Sequence, residues 1–210
     1  MLLWINGPFG GGKTQTAHEI QHRLPGSVIC DPEHAGFGLR RMLPPALRGD
    51  FQDLVSWRQG VVEVLDLALT RHDGVVIVPM TVTDSGYFAE TVGRLRELGH
   101  DVRHFTLLAQ RETVLARLRE RGLGHLLRFA AGKGAAPRGE SWAVQRLDHC
   151  LERLSAPEFA EHLWTDHVTV PRTADRIAVL AGLTLRPHQG GALRTRLRQA
   201  RVSLRHIRFD

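Results

Sequence analysis

Cysteine, lysine and long apolar runs are the scarce features of this 210-residue chain. Its two cysteines, Cys30 and Cys150, are too few and too isolated for a disulfide framework or a zinc site. That fits a reducing, cytoplasmic setting, and both thiols are expected to be small buried residues. No apolar run reaches the roughly 18 residues that a membrane span needs. No basic stretch precedes Leu2, so no signal peptide is expected. There is no internal repeat and no linker long enough to divide domains, and the length suits one α/β domain with a substantial core.

Positive charge is abundant only in one place. The formal net charge is +6, yet residues 186–210 hold seven arginines and one acid, which leaves residues 1–185 neutral. A general nucleic-acid surface is therefore not indicated. The expected division is a domain over 1–185 followed by a basic segment over 186–210. From Leu193, the residues Leu193, Leu197, Ala200, Leu204 and Ile207 recur at steps of four and three, with arginines one position on. A helix there would set an apolar stripe beside an arginine stripe. Such a helix either docks on the domain or lies peripherally on an anionic inner-membrane surface.

Two motifs compete near the start. Gly7-Pro8-Phe9-Gly10-Gly11-Gly12-Lys13-Thr14 reads as a phosphate-binding loop, and His18-Glu19-Ile20-Gln21-His22 as the zinc-protease pattern. Shuffling this composition would produce the first in roughly two chains per thousand and the second in about three or four per hundred. The chain holds 26 arginines and only two lysines, Lys13 and Lys133, and one of the two stands where a phosphate loop needs a slim cation. His18 and His22 would share a helix face, but zinc needs a third protein ligand and spacing marks none. The zinc reading is rejected. In the loop reading, the apolar Leu2–Asn6 run is the strand that feeds it. Gly7, Gly10, Gly11 and Gly12 let backbone N–H groups turn toward phosphate, with Gln15 next to them on the following helix. Lys13 reaches the β- and γ-phosphates of ATP, the Thr14 hydroxyl binds Mg²⁺, and the helix start faces the anion.

The remaining pattern alternates. Residues 27–30 predict a second strand, followed by a loop with a short helix over 34–50 and a helix over 53–71. Residues 75–78 predict a third strand, then a helix capped by Thr83 or Asp84 and ended by Gly99. Residues 102–108 predict a fourth strand and 112–121 a helix. Residues 122–140 are rich in glycine and cations and predict a lid-like insert. Ser141 is expected to cap a helix to about Leu154, residues 168–170 to form the fifth strand, and Thr173 to cap a helix through Leu180. The expected fold is a three-layer α/β P-loop NTPase with a five-stranded parallel sheet, a kinase-like lid and a basic C-terminal helix.

The segments "WINGPFGGGKTQTA", "DPEHAGFGLR", "VIVPMT", "HFTLL" and the closing "HIRFD" resemble the tunicamycin-resistance proteins over nearly the full length. The resemblance implies cytoplasmic ATP binding and protection against tunicamycin, a fatty-acylated nucleoside antibiotic, by phosphorylation or by sequestration. An ordinary metabolite or nucleotide kinase with the same core stays open. In kinases of this shape the acceptor sits beside the ends of strands two and three. Asp31 could accept a proton from a substrate hydroxyl or hold Mg²⁺ through water, or only cap a loop. Glu33 and Thr81 are weaker acceptor-side candidates. Arg40, Arg41 and Arg58 could contact an anionic substrate. Arg117, Arg121, Arg128, Lys133 and Arg138 flank or occupy the insert, where cations would offset charge on a migrating phosphoryl group. Arg121 resembles the lid-base arginine that stacks on adenine in nucleotide kinases. "VVIVPMTV" carries no acid at the end of the third strand, which leaves the Mg²⁺ anchor beyond Thr14 open.

Overall fold

The computed structural model describes residues 1–130 and 146–188, with side chains over 1–120 and 146–188. Its centre is β1 (Leu2–Asn6), every residue of which is buried. Alternation sends Leu3 and Ile5 to one face, against Ala17 and Ile20 of α1 (Lys13–Arg23) and Ala174 and Ile177 of α8 (Val170–Leu180). Leu2 and Trp4 enter the opposite core with Trp57, Val61 and Leu65 of α3 (Val55–Arg71). Cys150 and Leu154 of α7 (Leu147–Leu154) close that second layer. Both faces of the sheet are covered, which is why its strands read as unbroken apolar runs.

The sheet order is β2-β3-β1-β4-β5 and every pairing is parallel. β2 is only Val28–Ile29, β3 is Val76–Pro79 and β4 is Val102–Leu108. Parallel strands put all their exits on one edge of the sheet. The loop after β1, the turn after β2 and the segment after β3 therefore share that edge.

Several expected boundaries move. The fifth strand is β5 (His162–Trp164), with Leu107 opposite Leu163. Val168 and Thr169 instead lead into α8, where Pro171 occupies the first turn, a position that a proline's missing N–H favours. Residues 34–50 hold the expected short helix, α2 (Glu33–Met42), and a 3-10 turn, Pro45–Leu47; a second 3-10 turn, Phe51–Asp53, follows. The helix after β3 starts as α4 (Ser85–Phe88), capped by Asp84, which accepts the Tyr87 N–H at 2.9 Å. It passes through a π-helical turn, Ala89–Gly93, into α5 (Arg94–Glu97). Helix α6 spans Arg111–Ala130, so residues 122–130 extend it and are not part of an irregular insert. The apolar positions Leu123, Leu126, Leu127 and Phe129 continue a helical period there, and the two glycines were read too strongly as breakers. Residues 131–140 of the insert, the Ser141 cap and the basic helix beyond residue 188 lie outside the described residues. Among those described, no helix is long and apolar enough to cross a membrane.

Candidate active site

The phosphate loop hangs between β1 and α1, and its form comes from backbone. Gly12 has φ +93°, a left-handed value that an L side chain resists, and it turns the chain into α1. A Cβ on Gly7 would lie 2.7 Å from the Leu107 carbonyl oxygen, so the loop can sit against β4 only as glycine. No side-chain bond from Gly12 caps α1, and the helix presents to the loop the end that favours an anion.

Lys13 is buried, at 8% exposure, and its Nζ donates to the carbonyls of Gly7 at 2.9 Å and Pro8 at 3.0 Å. The Thr81 hydroxyl, just past β3, donates to the same Gly7 carbonyl at 2.9 Å. Thr81 therefore touches the loop itself. Thr14 and Gln15 stand half-buried in the first turn of α1.

Asn6 was not singled out from sequence. It is fully buried, and its Oδ1 accepts from the N–H groups of Gly7 at 2.8 Å and Val82 at 3.0 Å. Its Nδ2 donates to the Val82 carbonyl at 2.9 Å. One amide thus ties the mouth of the loop to the segment after β3. The available signal was the placement: a lone polar residue ending an otherwise apolar strand, directly before the first glycine.

Arg117 of α6 is held at the exit of β5. Its Nη1 donates to Thr165 Oγ1 at 3.1 Å and its Nη2 to the Thr165 carbonyl at 2.7 Å. Burial lowers its pKa, while Asp166 and Glu120 act against that shift. Asp166 accepts from the Gln110 N–H at 2.8 Å and the Thr113 hydroxyl at 2.7 Å. Desolvation raises its pKa, but those hydrogen bonds and Arg117 outweigh it and hold the carboxyl below its ordinary value. This network was also missed, because it joins residues distant in sequence through a three-residue strand.

Asp31 follows β2, half-buried, and its Oδ1 accepts from the Glu33 N–H at 3.0 Å at the start of α2. Glu33 and Arg40 are half-buried along α2, and Arg41 is exposed. Arg58 lies apart from them, 7% exposed, with Nε 2.6 Å from Glu90 Oε2 and Nη1 donating to the Gln52 carbonyl. Its guanidinium also covers the Tyr87 ring, with Cζ 4.3 Å from the centroid. These partners commit Arg58 inside the fold. Arg121 and Arg128 fall where α6 is described by backbone alone, and Lys133 and Arg138 lie outside the described residues.

His18 and His22 sit on α1 as the spacing requires, but Glu19 between them is 4% exposed and bonded to His188 at 2.6 Å. Arg23 lies 3.7 Å from the same Glu19 oxygen and bonds Asp175 and the Arg186 carbonyl. Among the described residues, no group of three His, Cys, Asp or Glu is placed to hold a metal.

The AAA domain family matches residues 2–131. The tunicamycin resistance protein of Deinococcus radiodurans is 32% identical and superposes with a TM-score of 0.70, over 89% of this chain and 99% of that one. The chain belongs to the tunicamycin-resistance protein family. A sugar kinase from Janibacter sp. (17% identity, TM-score 0.58, 87% of this chain and 95% of that one) shares the fold. So does shikimate kinase from Bacteroides thetaiotaomicron (14%, TM-score 0.56, 87% and 99%). No curated protein sequence matches the chain. A tunicamycin-resistance family member built on this frame, with Lys13 in a phosphate loop, is a nucleotide-binding, kinase-like protein.

Proposed function

We propose that the protein is an ATP-dependent phosphotransferase acting on a hydroxyl of a tunicamycin-like nucleoside antibiotic. The observation that carries this reading is the shared sheet edge, with the phosphate loop at the exit of β1 and Asp31 at the exit of β2. Lys13, resting on two neutral carbonyls, is a desolvated donor that an incoming phosphate would strengthen. The loop N–H groups and the uncapped start of α1 bind and orient the γ-phosphate. Asp31 takes the proton of the acceptor hydroxyl as that oxygen bonds to phosphorus and ADP leaves. Arg117, pinned to the exit of β5, lines the base side of the nucleotide. Arg121, on the same helix, stands as lid-base arginine, and Glu33, Arg40 and Thr81 stand as acceptor-side contacts. The domain over 1–185 carries this chemistry in the cytoplasm and is followed by the basic segment over 186–210, whose first residues bond α1 through Arg186 and His188.

Thr14 suits Mg²⁺, with a hydroxyl in the first turn of α1 at the loop exit. When bound, the ion neutralises charge on the β- and γ-phosphates.

One observation favours a second reading, ATP-gated binding of the drug without chemistry. Met80-Thr81-Val82 follows β3 where many P-loop hydrolases carry an acid, and Thr81 bonds the loop backbone. Mass spectrometry of tunicamycin incubated with protein, ATP and Mg²⁺ separates the two. Transfer requires a phosphate added to the drug, whereas tight binding of unmodified drug favours sequestration.

A further inference from the structure

We infer that Trp57 is a positioning residue for Asp31, an inference that rests on the reading of Asp31 as proton acceptor. Trp57 lies in the first turn of α3 with 1% of its surface exposed, and its indole Nε1 donates to the Pro32 carbonyl at 3.0 Å. Pro32 joins Asp31 to Glu33, and the Asp31 carboxylate accepts the Glu33 N–H across that same turn. The indole therefore grips the turn that aims Asp31. A buried indole N–H usually takes an acceptor; Trp4, fully buried in the same core, has none for its Nε1 among the described residues, whereas Trp57 has Pro32.

The sheet gives this turn little support. β2 has two residues, and its last ladder bond runs from the Cys30 N–H to the Ile77 carbonyl at 2.9 Å. Beyond Cys30 the chain leaves the sheet and turns on its own bonds, the His34 N–H to the Asp31 carbonyl at 3.2 Å and the Gly36 N–H to the Pro32 carbonyl at 3.1 Å, and α3 adds the indole. A second contact acts alongside the first. Phe51 packs 5.3 Å from the Trp57 ring and 5.3 Å from the Phe37 ring, centroid to centroid. Gly36 lies on Phe51 so closely that a Cβ there would be 2.3 Å from Cδ2. The Pro32 turn and the first turns of α2 thus bear on one aromatic pair. Loss of the indole N–H keeps most of the packing but removes the bond that ties the Pro32 carbonyl to α3, leaving its bond from the Gly36 N–H at 3.1 Å within α2, and a small misplacement of a base is enough to slow proton transfer.

A double-variant cycle tests this. Single-turnover transfer from ATP to tunicamycin with Mg²⁺ is measured for the full chain, for Trp57→Phe, for Asp31→Asn and for the pair, with ATP affinity of each by calorimetry. Asp31→Asn is expected to slow transfer by roughly 10²- to 10⁴-fold. Trp57→Phe is expected to bind ATP within about twofold of the parent, to slow transfer about tenfold, and to slow Asp31→Asn by less than about twofold. If Trp57→Phe slows both backgrounds by the same factor, it acts only on the fold and the inference is overturned while Asp31 keeps its role. Unchanged transfer in Asp31→Asn, or none in the parent, overturns the reading of Asp31 and the inference with it. Should Trp57→Phe fail to fold, 3-benzothienylalanine at position 57 keeps the ring volume without the N–H and must give the same non-additive pattern.

Discussion

On the nucleotide side of the sheet edge, Asn6, Lys13 and Thr81 are all buried and all bonded to backbone between Gly7 and Val82. On the acceptor side, Asp31, Glu33 and Arg40 are half-buried, and only Gly36 of α2 is fully covered. The first side is a closed set of polar bonds that join the glycine loop to the segment after β3. The second is a helix held by an indole N–H and the edges of aromatic rings. The contrast fits the two partners. A triphosphate presents the same oxygens to every such loop, so backbone donors suffice. An acceptor has a particular shape, and side-chain packing can be altered to fit it while the sheet stays intact.

Lys13→Ala should separate the two sides most sharply. The ammonium contacts two carbonyls and packs little core, so ATP affinity should fall by about 10²-fold or more while folding stability changes by only about 1 kcal/mol. Calorimetry and thermal melting check the pair of values, and wild-type affinity in a folded variant would remove the loop from the nucleotide site.

Asn6→Ala should come next, and should damage the fold more than Lys13→Ala does. It strands two N–H groups and a carbonyl in a fully buried position, a loss of about 2–4 kcal/mol. Urea unfolding with an unchanged m-value would report this directly. A loss under about 0.5 kcal/mol would mean that the clamp between loop and Val82 does not hold the nucleotide side together.

Gly36→Ala should give the smallest effect and should confine it to the acceptor side. The new methyl must displace the Phe51 ring, at about 1–3 kcal/mol, and the gain in helix propensity returns up to about 1 kcal/mol. Melting temperature should fall by a few degrees while ATP affinity stays at the parent value. If ATP affinity falls with it, the two sides are coupled and the contrast drawn between them fails.

The legible parts of this protein were those made locally. The phosphate loop was readable because its function needs glycines and one lysine at consecutive positions, where no distant residue intervenes. The parallel sheet followed from strands apolar on both faces. β5 escaped notice because His162-Leu163-Trp164 is short and becomes a strand only by pairing with Thr106–Leu108, whereas Val168-Thr169-Val170 has the better strand composition but precedes a proline. Arg58 is a substrate-contact candidate by sequence because its partners, Gln52, Tyr87 and Glu90, come from two other parts of the chain and turn it inward only in the fold.

Sequence by itself determined the family, the layered α/β frame and the placing of Lys13, because each depends on residue type at short spacing or on period. Tertiary structure alone decided that Asn6 clamps the loop, that Thr165 holds Arg117, that Arg58 turns inward and that Trp57 grips the turn beside Asp31. Each of these is a bond between groups far apart along the chain. Their geometry exists only once packing has brought the elements together and burial has obliged each polar group to find a partner.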